Sequence, residues 1–140
     1  MDFRCIWDGS SWTEVADLNT GRQNGGSIGT TPSAGAVSGE ASGIKTDFEQ
    51  WDGTSWTETT EVNAGRQQGA GAGTNAAGLF FGGYFPGTTD FAGTVRNFKK
   101  IQTVEIATTG EANEFGEVTE NGIRECGCVA SQTRAVRLGG

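Results

Sequence analysis

The sequence predicts an all-β chain of four-stranded antiparallel sheets, about three of them in 140 residues. Three observations carry that expectation. A long segment repeats at a fixed offset of 44 residues. Short apolar runs alternate with glycine-rich runs and Asp-Gly turns, which is strand-and-hairpin punctuation. No stretch carries the 3.6-residue apolar period of a helix.

The repeat is the strongest of the three. Trp7 to Glu40 aligns without a gap on Trp51 to Tyr84, with fifteen of 34 positions identical. The first copy opens Trp7-Asp8-Gly9-Ser10-Ser11-Trp12-Thr13-Glu14 and the second Trp51-Asp52-Gly53-Thr54-Ser55-Trp56-Thr57-Glu58. Both continue to Asn-x-Gly-Arg-Gln, Asn19 to Gln23 and Asn63 to Gln67. A third, diverged copy follows. Val104-Glu105 is aligned with Phe48-Glu49, Glu117-Val118 with Glu61-Val62, and Gly139-Gly140 with Gly82-Gly83, with Phe115 near the second Trp position. The units run approximately 1–45, 46–95 and 96–140 and form one domain.

Each predicted element has a local reason. Phe48 to Trp51 reads as a strand, and Asp52-Gly53-Thr54-Ser55 as a tight turn, since Asp-Gly tolerates the positive φ angles of hairpin turns. Trp56 to Thr60 is the returning strand. Gly69 to Gly73 is a strand almost without side chains. Thr74 to Ala77 turns, and Gly78 to Tyr84 returns with Leu79, Phe80 and Phe81 as its apolar content. In the third unit the strands are 102–107, 114–118, 124–130 and 135–139. A strand interior tolerates glycine where another backbone comes close, so Gly25-Gly26, Gly69, Gly71 and Gly73 suit a crowded centre.

A period in the forties is the size of one four-stranded propeller blade. Rings of blades usually close with about four to eight, so three units predict completion by a second chain. The chain also begins on an outer pair of strands and ends on an inner pair. A homo-oligomer is therefore expected, a dimer with six blades, or else a piece of a longer propeller.

These residues resemble a known family. Arg66 opening a strand, Gly82-Gly83 ending the next, and the spaced Trp51 and Trp56 resemble the kelch repeat. Arg22 and Arg124 look like the equivalent Arg in the other units. The first copy departs at the doublet, with Ser38-Gly39 in its place. The segments around Trp51-Asp52-Gly53-Thr54-Ser55-Trp56-Thr57, Ile106-Ala107-Thr108-Thr109-Gly110 and Thr133-Arg134-Ala135-Val136 resemble kelch-like repeats of marine bacteriophage and environmental reading frames. That resemblance implies a virion- or mobile-element-associated, extracellular or particle-bound scaffold or binding module. By analogy it would engage a protein or glycan surface.

Composition narrows the functions further. The net charge is −7, with acids dispersed along the chain, which argues against phosphate-backbone recognition and against docking on anionic lipid. No apolar run approaches the roughly 18 residues of a membrane span. Met1 to Cys5 lacks the apolar core of a signal peptide, so export is expected only by lysis or inside a particle. Cys5, Cys126 and Cys128 make an odd count and are read as small buried hydrophobes.

Catalytic patterns are weak. With no His, the commonest general base and metal ligand is absent, and a copper or zinc site is not expected. Asp52 to Trp56 faintly resembles a sialidase Asp box, one residue short, and Asp boxes are themselves structural turns. Asp17-x-Asn19-x-Gly21 resembles the start of a calcium loop, but no downstream bidentate acid follows, so a turn is expected. No acid pair stands out for glycoside hydrolysis. The alternative to a binding module is thus a glycan-acting propeller enzyme. No catalytic residue, cofactor or metal is assigned.

The candidate binding residues are Arg22, Arg66, Arg124, Trp12 and Trp56. The arginines could ring one channel mouth for an anionic or sugar ligand, although pairing with carbonyls or a neighbouring acid is the favoured reading. The indoles could stack on sugars, but as propeller residues they are expected to fill space between sheets. Segment 85–100 breaks the period and is locally basic, a loop where recognition tends to sit.

Overall fold

A computed structural model of the chain describes the backbone of residues 4–74, 77–89, 95–97, 100–104, 113–117, 127–130 and 135–138, with side chains at 4–74 and 78–85. All the described elements are strands, and all their pairings are antiparallel. No described helix is long and apolar enough to cross a membrane.

Strands β1 (Arg4–Trp7) and β2 (Trp12–Val15) form a two-stranded hairpin. Strands β3 (Gly26–Thr30), β4 (Ser33–Val37), β5 (Asp47–Trp51) and β6 (Trp56–Glu61) form a four-stranded meander in chain order. Strands β7 (Gln67–Thr74), β8 (Ala77–Thr89), β10 (Lys100–Val104) and β11 (Asn113–Glu117) form the next sheet, with β9 (Val95–Asn97) paired to the far half of β8. Strands β12 (Gly127–Ala130) and β13 (Ala135–Leu138) form a last pair. Each four-stranded sheet thus joins the second half of one sequence repeat to the first half of the next.

Strands of neighbouring sheets meet. β3 lies against β7, and β7 against β12. Gly71 explains how close two backbones come, because a Cβ there would stand 2.3 Å from the Ser27 carbonyl oxygen. Any side chain would force β3 and β7 apart. Between the two larger sheets sits the core, Ile28, Val37, Phe48, Val62 and Phe80. Phe48 and Phe80 are fully buried, and full burial of such a ring contributes roughly 1.5–3 kcal/mol.

The repeat is also a repeat of backbone conformation. Left-handed φ angles recur at Asn24 and Gln68 (56° each), Ser38 and Gly82 (55° and 67°), and Gly39 and Gly83 (102° and 85°). The doublet that differs in sequence is therefore the same bend in both copies. Ser38 secures it with its hydroxyl, whose one proton is within reach of the Lys45 and Arg66 carbonyls at 2.7 and 2.8 Å and whose oxygen accepts from the Arg66 N–H at 2.8 Å. At the second position glycine is required. A Cβ on Gly39 would lie 2.8 Å from the Gln23 carbonyl, and one on Gly83 2.7 Å from that of Gln67.

Pairing registers correct the third-copy alignment. Val37 pairs Phe48, and its equivalent Phe81 pairs Ile101. Ile101, not Val104, therefore occupies the Phe48 position, and Val104 that of Trp51. The irregularity that follows Phe48 in β5 recurs after Ile101 in β10. Phe115 falls at this bulge, where the second copy has Thr59, rather than at the place of Trp56. Glu117 does occupy the Glu61 position. The inserted length falls mostly between β8 and β10. There the chain continues the ladder through Tyr84↔Asn97 and Thr89↔Val95 instead of running as a structureless loop.

Candidate functional site

All four tryptophans of the sequence line one cleft of about 360 Å³ between the β1–β2 hairpin and the sheet that carries β5 and β6. They come as two cross-strand pairs, Trp7↔Trp12 and Trp51↔Trp56. Each pair flanks an Asp-Gly-x-Ser turn. The ring centroids stand 5.4 and 5.5 Å apart, both with an interplanar angle of 44°, within the favourable range for tilted aromatic pairs.

The turns explain the pairs. Asp8 Oδ1 accepts from the N–H groups of Ser10 and Ser11 at 2.7 and 2.8 Å, and Asp52 Oδ1 from those of Thr54 and Ser55 at 2.8 Å each. These backbone donors favour the carboxylate. The backbone N–H of Ser11 above all, then that of Ser10, holds Asp8 far below the usual carboxylate range. Those of Ser55 and then Thr54 lower Asp52. Aspartate here fixes a turn and, through it, sets two indoles side by side.

The four indoles differ in surroundings. Trp51 is 4% exposed and forms the floor. Its Nε1–H is buried without an acceptor among the described residues, an arrangement that costs on the order of 1–3 kcal/mol. Trp56 is half-buried and donates its Nε1–H to the Ala16 carbonyl at 3.0 Å. Trp7 and Trp12 are 49% and 68% exposed. Arg4 also lines the cleft, the one charged residue among the described ones that does.

The connection from β2 to β3 is clamped beside this cleft. Glu49, fully buried on β5, accepts the backbone N–H groups of Asn19 and Thr20 at 2.6 and 3.1 Å. Its Oε1 also pairs with the Arg22 guanidinium, which reaches Asp47 as well. Arg22 completes its donors on the carbonyls of Thr20, Ser38 and Asp47. The segment from Asp17 to Gly21 thus runs between two sheets with its backbone held by Glu49. This latch escapes sequence inspection, because the repeat has Cys5 where the second copy has Glu49. The only signal for it was the pairing of one acid with a repeated Arg.

Arg66 is fully buried. Its guanidinium carbon stands 4.4 Å from the Phe80 ring centroid, and one amino group donates to the Phe80 carbonyl at 3.1 Å. Burial lowers its pKa to about 10. Arg22 and Arg66 are therefore both buried on internal carbonyls, Arg22 with two acids as well, which is the favoured expectation for them, and Arg124 lies outside the described residues. Trp12 and Trp56 are brought together, with Trp7 and Trp51 added. Cys5 is exposed, not buried as expected. Cys126 lies outside the described residues, as does the Cys128 side chain. No cluster of three or more His, Cys, Asp or Glu side chains able to hold a metal forms among the described residues.

Comparison with known proteins adds fold information. No family model matches the chain, and no curated protein matches it significantly. Among solved structures the chain is similar to that of YjhT, with a TM-score of 0.70 at 15% identity over 90% of this chain. The matched part is 36% of the YjhT chain, so this protein spans about a third of that structure's length. At such identity the likeness is one of fold. YjhT has a β-propeller-like fold, and the present chain shares its all-β, antiparallel architecture.

Proposed function

We propose that this chain is a kelch-type β-propeller segment, carrying blades of four antiparallel strands, that works as a binding or scaffold module of a virus particle or mobile element. The fold half of the reading is supported by the meander order of β3 to β6, the convergence of β3, β7 and β12, and the likeness to YjhT. The phage association rests on the sequence resemblance. Completion of the ring by a second copy is part of the proposal: β12 and β13 of one chain would pair along β1 of the other.

One observation favours binding over catalysis. The described buried carboxylate, Glu49, is engaged by Arg22 and two backbone N–H groups, which leaves it unsuited to proton transfer. What the surface presents instead is an aromatic cleft, the kind of concavity of roughly 300–1,000 Å³ that holds small ligands and glycan segments. The test is incubation of the chain with protein and glycan arrays, followed by mass analysis of whatever is retained. Retention of an intact ligand supports the module. Cleavage or rearrangement of the retained glycan would establish the enzymatic alternative. Light scattering over a dilution series checks the ring: a stable mass of two chains is expected, and a strict monomer refutes completion by a second copy.

A further inference from the structure

We propose that the four-tryptophan cleft is a glycan-binding site selective for acidic sugars, with the Trp12 and Trp56 indoles stacking on pyranose rings and the Arg4 guanidinium pairing with a sugar carboxylate. This rests on the binding-module reading and names its ligand class.

The chemistry follows from the lining. A pyranose presents C–H groups on its faces and hydroxyls around its rim. Indole faces match the first, because the π-cloud attracts polarised C–H groups while both surfaces leave water. The cleft offers four indoles within one concavity, at two different depths. Trp51 makes the floor, whereas Trp12 stands largely in solvent. Such exposure of large aromatics is unfavourable without an occupant. The Asp8 and Asp52 turns hold the hairpins that carry these rings, so little ordering remains to be done on binding. At the floor, the Trp51 Nε1–H is a donor without a protein acceptor.

Charge selects among sugars. The chain carries −7 overall, yet among the described residues the cleft is lined by Arg4 and by no acid. Arg4 forms no ion pair among the described residues. A guanidinium free of an internal acid is complementary to a carboxylate. A strand added along β1 would bury Arg4 and Trp7 as β4 buries their counterparts Phe48 and Trp51 in the second copy, so Arg4 is available to a ligand only while the β1 edge is open.

The test uses the intact chain with hexagalacturonate as the acidic probe and cellohexaose as the neutral one. Every tryptophan of the sequence lies in the cleft, so intrinsic fluorescence reports on it alone. Hexagalacturonate is expected to shift the emission saturably, more tightly than cellohexaose and less tightly at high salt. Trp12→Ala should weaken it by about tenfold, near the upper end of what one aromatic contact contributes. Arg4→Gln should remove the preference for the acidic probe. Should Trp12→Ala lose the fold, seen as a lower Tm, Trp12→Phe provides the same comparison. The proposal is overturned if neither probe shifts the emission at about 10 mM, if the Trp12 variant binds like the parent, or if Arg4→Gln leaves the preference intact. Glycan retained by the arrays with no change in emission would refute the cleft and leave the binding module standing.

Discussion

The β1–β2 and β5–β6 hairpins have nearly the same turn sequence and the same local geometry. Their tryptophan pairs differ by 0.1 Å in separation and not at all in tilt. Their aspartates make the same backbone hydrogen bonds. Yet Trp51 is 4% exposed and its counterpart Trp7 is 49% exposed. The difference lies in what each first strand meets. β5 pairs with β4 along one edge and β6 along the other, whereas β1 pairs with β2 alone among the described strands. β5 also carries Glu49, which receives Arg22, where β1 carries Cys5. Hairpin geometry is a local property, and burial is conferred by the neighbouring strand.

The largest break in this comparison should come from the two floor positions. Trp51→Ala should cost about 3–5 kcal/mol, the range for deleting a buried large aromatic, while Trp7→Ala should stay within about 0.5 kcal/mol wherever the β1 edge is open. Urea unfolding of the two variants checks this. Equal losses would show that β1 is covered in solution, as it would be in a ring shared by two chains.

Next comes the latch. Glu49→Ala leaves Arg22 with Asp47 as its remaining carboxylate and takes the acceptor from the Asn19 and Thr20 N–H groups, so the loss should approach that of a broken buried pair, about 3–5 kcal/mol. Cys5→Ala, at the matching place in β1, should be neutral by the same measurement. A smaller effect is expected at the shared bend. Gly39→Ala and Gly83→Ala should each cost about 1–3 kcal/mol from left-handed strain and backbone crowding, and by similar amounts, since the bend is the same in both copies.

The smallest effect is a pH response common to both hairpins. Asp8 and Asp52 titrate below the ordinary value of 3.8 when folded. A lowered folded pKa means that their contribution is present above that value and lost as pH falls through the folded one. Carboxyl titration by NMR should place both below ordinary aspartate, and each turn should loosen as the pH falls through the titration of its own carboxyl.

Much of this arrangement was legible from residues alone. The strand at Phe48 to Trp51, the Asp-Gly turns and the glycine-alanine strand Gly69 to Gly73 all stand where local chemistry puts them, because turn and strand preferences act over a few residues. Trp12 and Trp56 were visible as candidates through their repetition. Internal pairing was likewise the favoured reading of Arg22 and Arg66, and both have internal partners. Two things were not legible. The third copy was misaligned by three residues at its first strand, since sequence matching cannot see the ladder that puts Ile101 opposite Phe81. Nor could the residues name Glu49 as the partner of Arg22, since it lies 27 residues away and the first copy has Cys5 in its place.

The sequence by itself determined the period, the hairpin turns and the side-by-side placement of each tryptophan pair. All of these are settled by contacts within a dozen residues, as the Asp8 and Asp52 turns demonstrate. Only the tertiary structure decided which copy's tryptophan is buried, that Glu49 reaches back 27 residues to Arg22, and that the two indole pairs share one cleft. These depend on which strand lies beside which, a matter of long-range pairing between segments whose local preferences are the same.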